Sequence, residues 1–166
     1  MDAHALAIGH LCIAWANLEA TVNHFMGELL GIGGSQFSDV LSANVDLRQK
    51  IQIVKGIGFL RKLSPEWFER LQGALDVIDN VHRPERNRYV HDDWRPKAKW
   101  TLRERKRVAI RRRQSRKPLE ISTFERAIVD PEQIWGLVER ITESQDVLFA
   151  LYDEFVELWG PGAALP

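Results

Sequence analysis

Leu11-Cys12-Ile13-Ala14-Trp15-Ala16-Asn17-Leu18-Glu19-Ala20-Thr21-Val22-Asn23-His24-Phe25-Met26-Gly27-Glu28-Leu29 is the stretch that decides the fold. Leu11, Trp15, Leu18, Val22, Phe25 and Leu29 alternate spacings of four and three, which on an α-helix is a continuous apolar seam along one side. Such a seam must be covered by other helices, so the chain reads as a bundle. The pattern predicts a helix over about residues 4–30, stopped by Gly31, Gly33 and Gly34. Glu19 falls beside the seam, with Cys12 and Met26, where a carboxylate must be paired or held at a wet rim. His10, Asn17 and His24 recur every seven residues and read as a solvated polar edge.

Outward from that helix, residues 35–44 read as a short helix or a turn-rich connection. Asp46 is a cap for a second long helix over about 47–63, with Ile51, Val54 and Leu60 expected inward. Ser64-Pro65-Glu66 is a strong start signal for a third, with Phe68, Leu71, Leu75 and Ile78 expected on one face. That face turns polar at His82, Glu85 and Tyr89. Pro84 cannot continue an undisturbed helix, so a kink is expected at about 80–84, followed by one or two more turns. Asp130-Pro131-Glu132 starts the last helix, which carries Ile134, Leu137, Ile141, Leu148, Leu151 and Phe155 to about Trp159.

Between Trp94 and Thr123 the period changes. Val108 and Ile110, then Leu119 and Ile121, alternate with polar or small residues and read as short strands. The fold class is therefore mostly α: an up-and-down bundle of four to five helices with a small basic β-hairpin or sheet inserted before the last helix. Residues 1–160 form one domain, the insertion occupies about 94–124, and 161–166 are expected to be a loose tail.

A length of 166 residues suits one well-packed domain. There is no run of 18 apolar residues and no leader-like N-terminus, so no membrane segment is expected. The single Cys12 gives no intramolecular disulfide, which points to a cytoplasmic setting. Formal net charge is zero, but residues 83–117 hold 15 Lys and Arg against four acids, a local +11 balanced by −11 elsewhere. Arg95, Lys97, Lys99, Arg111, Arg112 and Arg113, with Trp94 and Trp100 among them, suit a phosphate backbone and stacked bases. The bland alternative is a solvated charged hairpin.

Arg86-Asn87-Arg88-Tyr89-Val90-His91 opens that basic region. On a regular helix Asn87 and His91 share a face, whereas Arg86 and His91 lie about 140° apart and converge only through the length of the arginine, a distorted helix or a second subunit. If they converge, His91 can move a proton, Arg86 can clamp a phosphate and Asn87 can orient the imidazole. RNA supplies its own 2′-hydroxyl nucleophile, so neither a metal nor another cofactor is required. His82 with His91-Asp92-Asp93 offers no established metal-ligand spacing. A phosphate-cradling glycine loop is likewise missing from the sequence.

Arg86-Asn87-x-x-x-His91 at the end of a bundle helix resembles the signature of the HEPN superfamily (higher eukaryotes and prokaryotes nucleotide-binding), and Trp15-x-x-Leu18-Glu19 resembles a pattern in some bacterial members. The resemblance covers the helical part and leaves the β insertion unexplained. It implies a mostly α bundle, a homodimer whose motifs face one cleft, and a metal-independent endoribonuclease leaving 2′,3′-cyclic phosphate ends. The implied setting is a toxin or phage-defence effector, with an antitoxin or another defence protein as partner. Arg86, Asn87 and His91 match the signature; Glu19, Arg88 and Tyr89 are expected to support them. Asp93 stands two past His91, where one subgroup has a tyrosine modified by its antitoxin. Two other readings remain: a non-catalytic nucleic-acid-binding module, and a helical bundle that pairs its charged surfaces with proteins.

Overall fold

Asp2 and Gly31 bracket the first helix, α1 (Ala3–Leu30): the Asp2 carboxylate accepts the His4 amide at 3.0 Å, and Gly31 closes the helix at φ 70°, where a Cβ would be strained. In the computed structural model the described residues are 2–91, 93–97, 102–111 and 120–160, and from 92 to 127 side chains are described for Trp94 alone. Leu11, Trp15, Leu18, Val22, Phe25 and Leu29 are all buried, so the seam read from the sequence is the face that makes the core. α1 is also long and apolar enough to cross a membrane by length and mean hydropathy, and a third of its apolar window is buried against its neighbours.

Ser35 caps α2 (Gln36–Asn44), a helix that buries none of its residues. A reciprocal cap between Asp46 and Gln49 starts α3 (Leu47–Leu60). Its inward residues are Leu47, Ile51, Val54 and Gly58; Leu60, expected inward, is 73% exposed. The reason is angular: nine residues past Ile51, Leu60 lies on the opposite side of the helix. Gly58 is small because α4 crosses there, and a Cβ would come within 2.7 Å of the Phe68 ring. Ser64 and Pro65 start α4 (Pro65–Val77) as read, but its buried face begins at Trp67 rather than Phe68, which half-covers Gly58 instead. Trp67 stacks among Phe25, Phe155 and Trp159, and its indole N–H donates to the Leu151 carbonyl at 3.2 Å.

The disturbance expected before Pro84 is a π-helical turn, Ile78–His82, in which the Arg83 amide reaches the Ile78 carbonyl. Pro84 has no amide to offer the preceding turn, and a widened turn is one of the few ways a helix passes such a residue. The chain continues as α5 (Arg83–His91). β1 (Asp93–Lys97), β2 (Leu102–Arg111) and β3 (Glu120–Val129) then form an antiparallel sheet in that order. Asp93 pairs with Lys106, Arg103 with Val129 and Val108 with Phe124, and the register shifts between Ala109 and Ile110. The sheet thus reaches back to Asp93 and on to Val129, beyond the insertion limits read from the sequence. The expected tail at 161–166 lies outside the described residues.

Asp130 and Gln133 cap α6 (Pro131–Trp159), whose six expected core residues are all buried. His10 meets Trp135, Thr21 meets Gln145 and His24 meets Tyr152, so α1 and α6 run in the same direction. Arg70 with Glu154, His82 with Ser144 and Glu85 with Arg140 show α4 and α5 running against α6. The sheet and the end of α5 therefore sit where α1 and α6 begin. The fold is mostly α, with a β arm at one end of the bundle.

Candidate functional site

Arg86, Asn87 and His91 all lie on α5. An Arg86 Nη1–H donates to Asn87 Oδ1 at 3.1 Å, and the same nitrogen stands 3.4 Å from His91 Nε2. The five-residue offset is bridged by the length of the arginine within one chain. A guanidinium only donates, so Nε2 receives through its lone pair, and the imidazole proton sits on Nδ1 in this arrangement. At 3.4 Å the contact is at the weak limit of a hydrogen bond and easily exchanged for a better acceptor.

The guanidinium is held from below by α1. Its carbon lies 5.6 Å from the centre of the Trp15 ring, and Trp15 is 6% exposed. Such stacking favours a planar cation and leaves its edge free to bond. Arg86 Nε is buried and has no hydrogen-bond partner among the described residues. His91 is exposed, while Arg86 and Asn87 are half-buried, so the set is a rim with a cation set into it. Together they offer a fixed positive group, an amide and an accessible imidazole, the components for holding a phosphate diester and shifting one proton.

The remaining expected residues fall into other roles. Glu19 sits one turn beyond Trp15 on α1, and its Oε1 accepts from Lys50 Nζ of α3 at 2.9 Å. Lys50 is 3% exposed, so Glu19 neutralises a buried cation; the pairing expected for a carboxylate beside the seam is present, with a partner on α3 that no sequence pattern marked. Tyr89 is buried and stacks on Trp94, whose indole N–H donates to the Tyr89 carbonyl at 2.8 Å. Trp94, half-buried, is thereby packed against α5. Arg88 is half-buried on α5. Arg95, Lys97 and Arg111 are placed on the backbone of β1 and β2, with side chains outside the description; Lys99, Trp100, Arg112 and Arg113 lie outside the described residues altogether.

Three residues around the site, His4, Asp79 and Arg140, were not singled out by pattern. His4 donates its Nε2–H to the Val129 carbonyl, 2.9 Å away, and its ring lies 6.0 Å from that of Trp94. Both ends of the β arm thus meet on one buried side chain. Asp79, in the π turn, accepts from Arg83 Nε at 2.7 Å and faces Arg48 Nε at 3.7 Å. Arg140 of α6 binds both oxygens of Glu85 at 2.9 and 2.8 Å. His82, one turn earlier, is buried with Nε2 2.9 Å from Ser144 Oγ. Burial, and then the nearby Arg140 charge, hold its pKa below the usual histidine value, against smaller opposing pulls from Glu85 and Glu143. Among the described residues, no group of three His, Cys, Asp or Glu side chains gathers as a metal site.

The class defined by these features is a mostly α bundle carrying a basic β arm beside an Arg–Asn–His rim. No family model, curated protein or solved structure matches the chain.

Proposed function

We propose that the protein is a metal-independent endoribonuclease of HEPN type. The observation that supports this best is the Arg86 guanidinium, stacked on Trp15 and within bonding range of both Asn87 and His91. An RNA phosphate is a stronger acceptor than a neutral imidazole, so on arrival it takes the Arg86 donors and frees the His91 Nε2 lone pair. That nitrogen then accepts the 2′-hydroxyl proton while the 2′-oxygen attacks phosphorus. The bond to the 5′-oxygen breaks, the departing oxygen takes a proton from water, and the imidazolium returns its proton to solvent. The products are a 2′,3′-cyclic phosphate and a 5′-hydroxyl end.

The basic segment 83–117, continuous with the motif, supplies the substrate-binding charge in this reading. Partners consistent with it are RNA, a second copy, and an antitoxin or another defence protein; the setting is cytoplasmic. The test is RNA cleavage in EDTA by the wild type and by Arg86→Ala and His91→Ala, with end-group analysis. Loss of about a hundredfold or more in either variant is expected. Undiminished cleavage in both removes the assignment.

A second reading rests on the charge segregation alone: a non-catalytic nucleic-acid-binding module. It gives salt-sensitive RNA binding that survives His91→Ala but not replacement of Arg111, Arg112 and Arg113, with no cleavage by the wild type.

A further inference from the structure

The groove between α4 and α6, about 530 Å³, is apolar along its middle, with the Arg70–Glu154 ion pair at one end and Glu143 and Ser144 toward the other, beyond which Glu85 pairs with Arg140. Its floor and walls include Gly73, Ala74, Val77, Val147, Ala150 and Leu151. Val77 is 41% exposed, Val147 49% and Val81, one turn further on, 52%. At one end α4 supplies the cation and α6 the anion, as Arg70 and Glu154. At the other end the signs are reversed: α5 supplies Glu85 and α6 supplies Arg140.

The spacing is symmetric as well as the charge. Val147 stands seven residues from Arg140 and seven from Glu154; Val77 stands seven from Arg70 and eight from Glu85. The π turn lies within the eight-residue arm and takes up the extra residue. Each charged end therefore lies about 10 Å from the line joining the two valines.

From this we propose that the α4–α6 face is a self-complementary interface for a second copy of the chain, related by a two-fold axis through Val77 and Val147 and lying across the helices. The axis lays each helix antiparallel on its copy. Arg70 then faces Glu85 of the second copy, and Glu154 faces Arg140. Val81 faces the small Ala74 and Gly73, Ser144 faces Ala150, and Glu143 comes over Leu151. A copy turned about an axis along the helices keeps the charge match but sets Val81 against Ser144, which favours the antiparallel arrangement. The interface is independent of the RNA reading. His91 is 14 residues beyond Val77, so the two imidazoles end about 40 Å apart instead of facing one cleft.

The test is sedimentation equilibrium of the full chain with single substitutions on the face. The wild type is expected to dimerise in the micromolar range, less tightly at high salt. Val147→Asp and Val77→Asp are expected to raise the dimer Kd by about thirtyfold or more, with unchanged circular dichroism. In a Cys12→Ser background, Val147→Cys alone is expected to give a covalent dimer on oxidation, because that residue meets its own copy. A wild type monomeric at about 100 µM, well above the expected Kd, overturns the proposal. So does a dimer indifferent to both aspartates, or one cross-linked only when Val77→Cys and Val147→Cys chains are mixed. Cross-links joining the two His91 rims, the arrangement the HEPN resemblance implies, overturn it as well.

Discussion

Replacing Asp79 by Asn tests whether the π turn that leads into the Arg86 rim is held by charge. The Asp79 side chain is 7% exposed, bonds Arg83 at 2.7 Å and faces Arg48 at 3.7 Å. Asn preserves the shape and one acceptor oxygen, so the change isolates the ionic part of the contact. A hydrogen bond to a charged group contributes about 1.5–3 kcal/mol. The Arg48 contact adds about 0–1 kcal/mol, because Arg48 is 67% exposed and its charge is screened. Because Asn keeps one acceptor, about half of the Arg83 contribution and all of the Arg48 contribution are lost, about 1–2.5 kcal/mol, and at about 2–4 °C per kcal/mol for a chain of this size Tm falls by about 2–10 °C. Urea denaturation and thermal melts of Asp79→Asn, Arg83→Met, Arg48→Met and the Asp79→Asn/Arg83→Met double variant measure it. Arg48→Met is expected to cost under about 1 kcal/mol. A loss below about 0.5 kcal/mol for Asp79→Asn, or full additivity with Arg83→Met, refutes the reasoning.

Three other outcomes follow from the described contacts. His82 has a folded pKa below its unfolded value, so the unfolded chain binds more protons; stability is full above about pH 6.5 and falls as pH drops toward the folded value, and His82→Gln is expected to flatten that slope in melts from pH 7.5 to 5. His4→Ala leaves the buried Val129 carbonyl without its partner, which is expected to cost about 1–3 kcal/mol and to speed amide exchange at the end of β3 before the α1–α6 core. Lys50→Met strands the Glu19 carboxylate, which is only 34% exposed, and is expected to cost about 1–3 kcal/mol, whereas the Glu19→Leu/Lys50→Met double variant, which removes both charges, is expected to change unfolding free energy by less than about 1 kcal/mol.

The helical framework was legible because burial imposes a period. The α1 seam, the Asp46, Ser64 and Asp130 starts and the α6 core residues follow from local rules, and the mostly α class follows from them. What failed locally, Leu60, failed by angle: the inward face of α3 passes through Gly58, and a glycine carries no hydropathy signal to mark it. Convergence of Arg86 with His91 was only conditional in the sequence, since a 140° offset is closed by a side chain whose direction depends on Trp15, 71 residues earlier. Lys50 beneath Glu19 and His4 beneath Val129 were invisible for the same reason. Long-range pairing of polar groups has no period to read.

The meeting of Trp94 and Val129 on His4 has a consequence for how this chain can vary. Where an inserted segment leaves and rejoins the host at one point, closing it requires little chain, and its length is nearly free of the host's geometry. The β arm is then an exchangeable module. Substituting residues 95–127 by a short glycine–serine linker should preserve the bundle's cooperative melt, and arms of other lengths or charges should graft onto the same point.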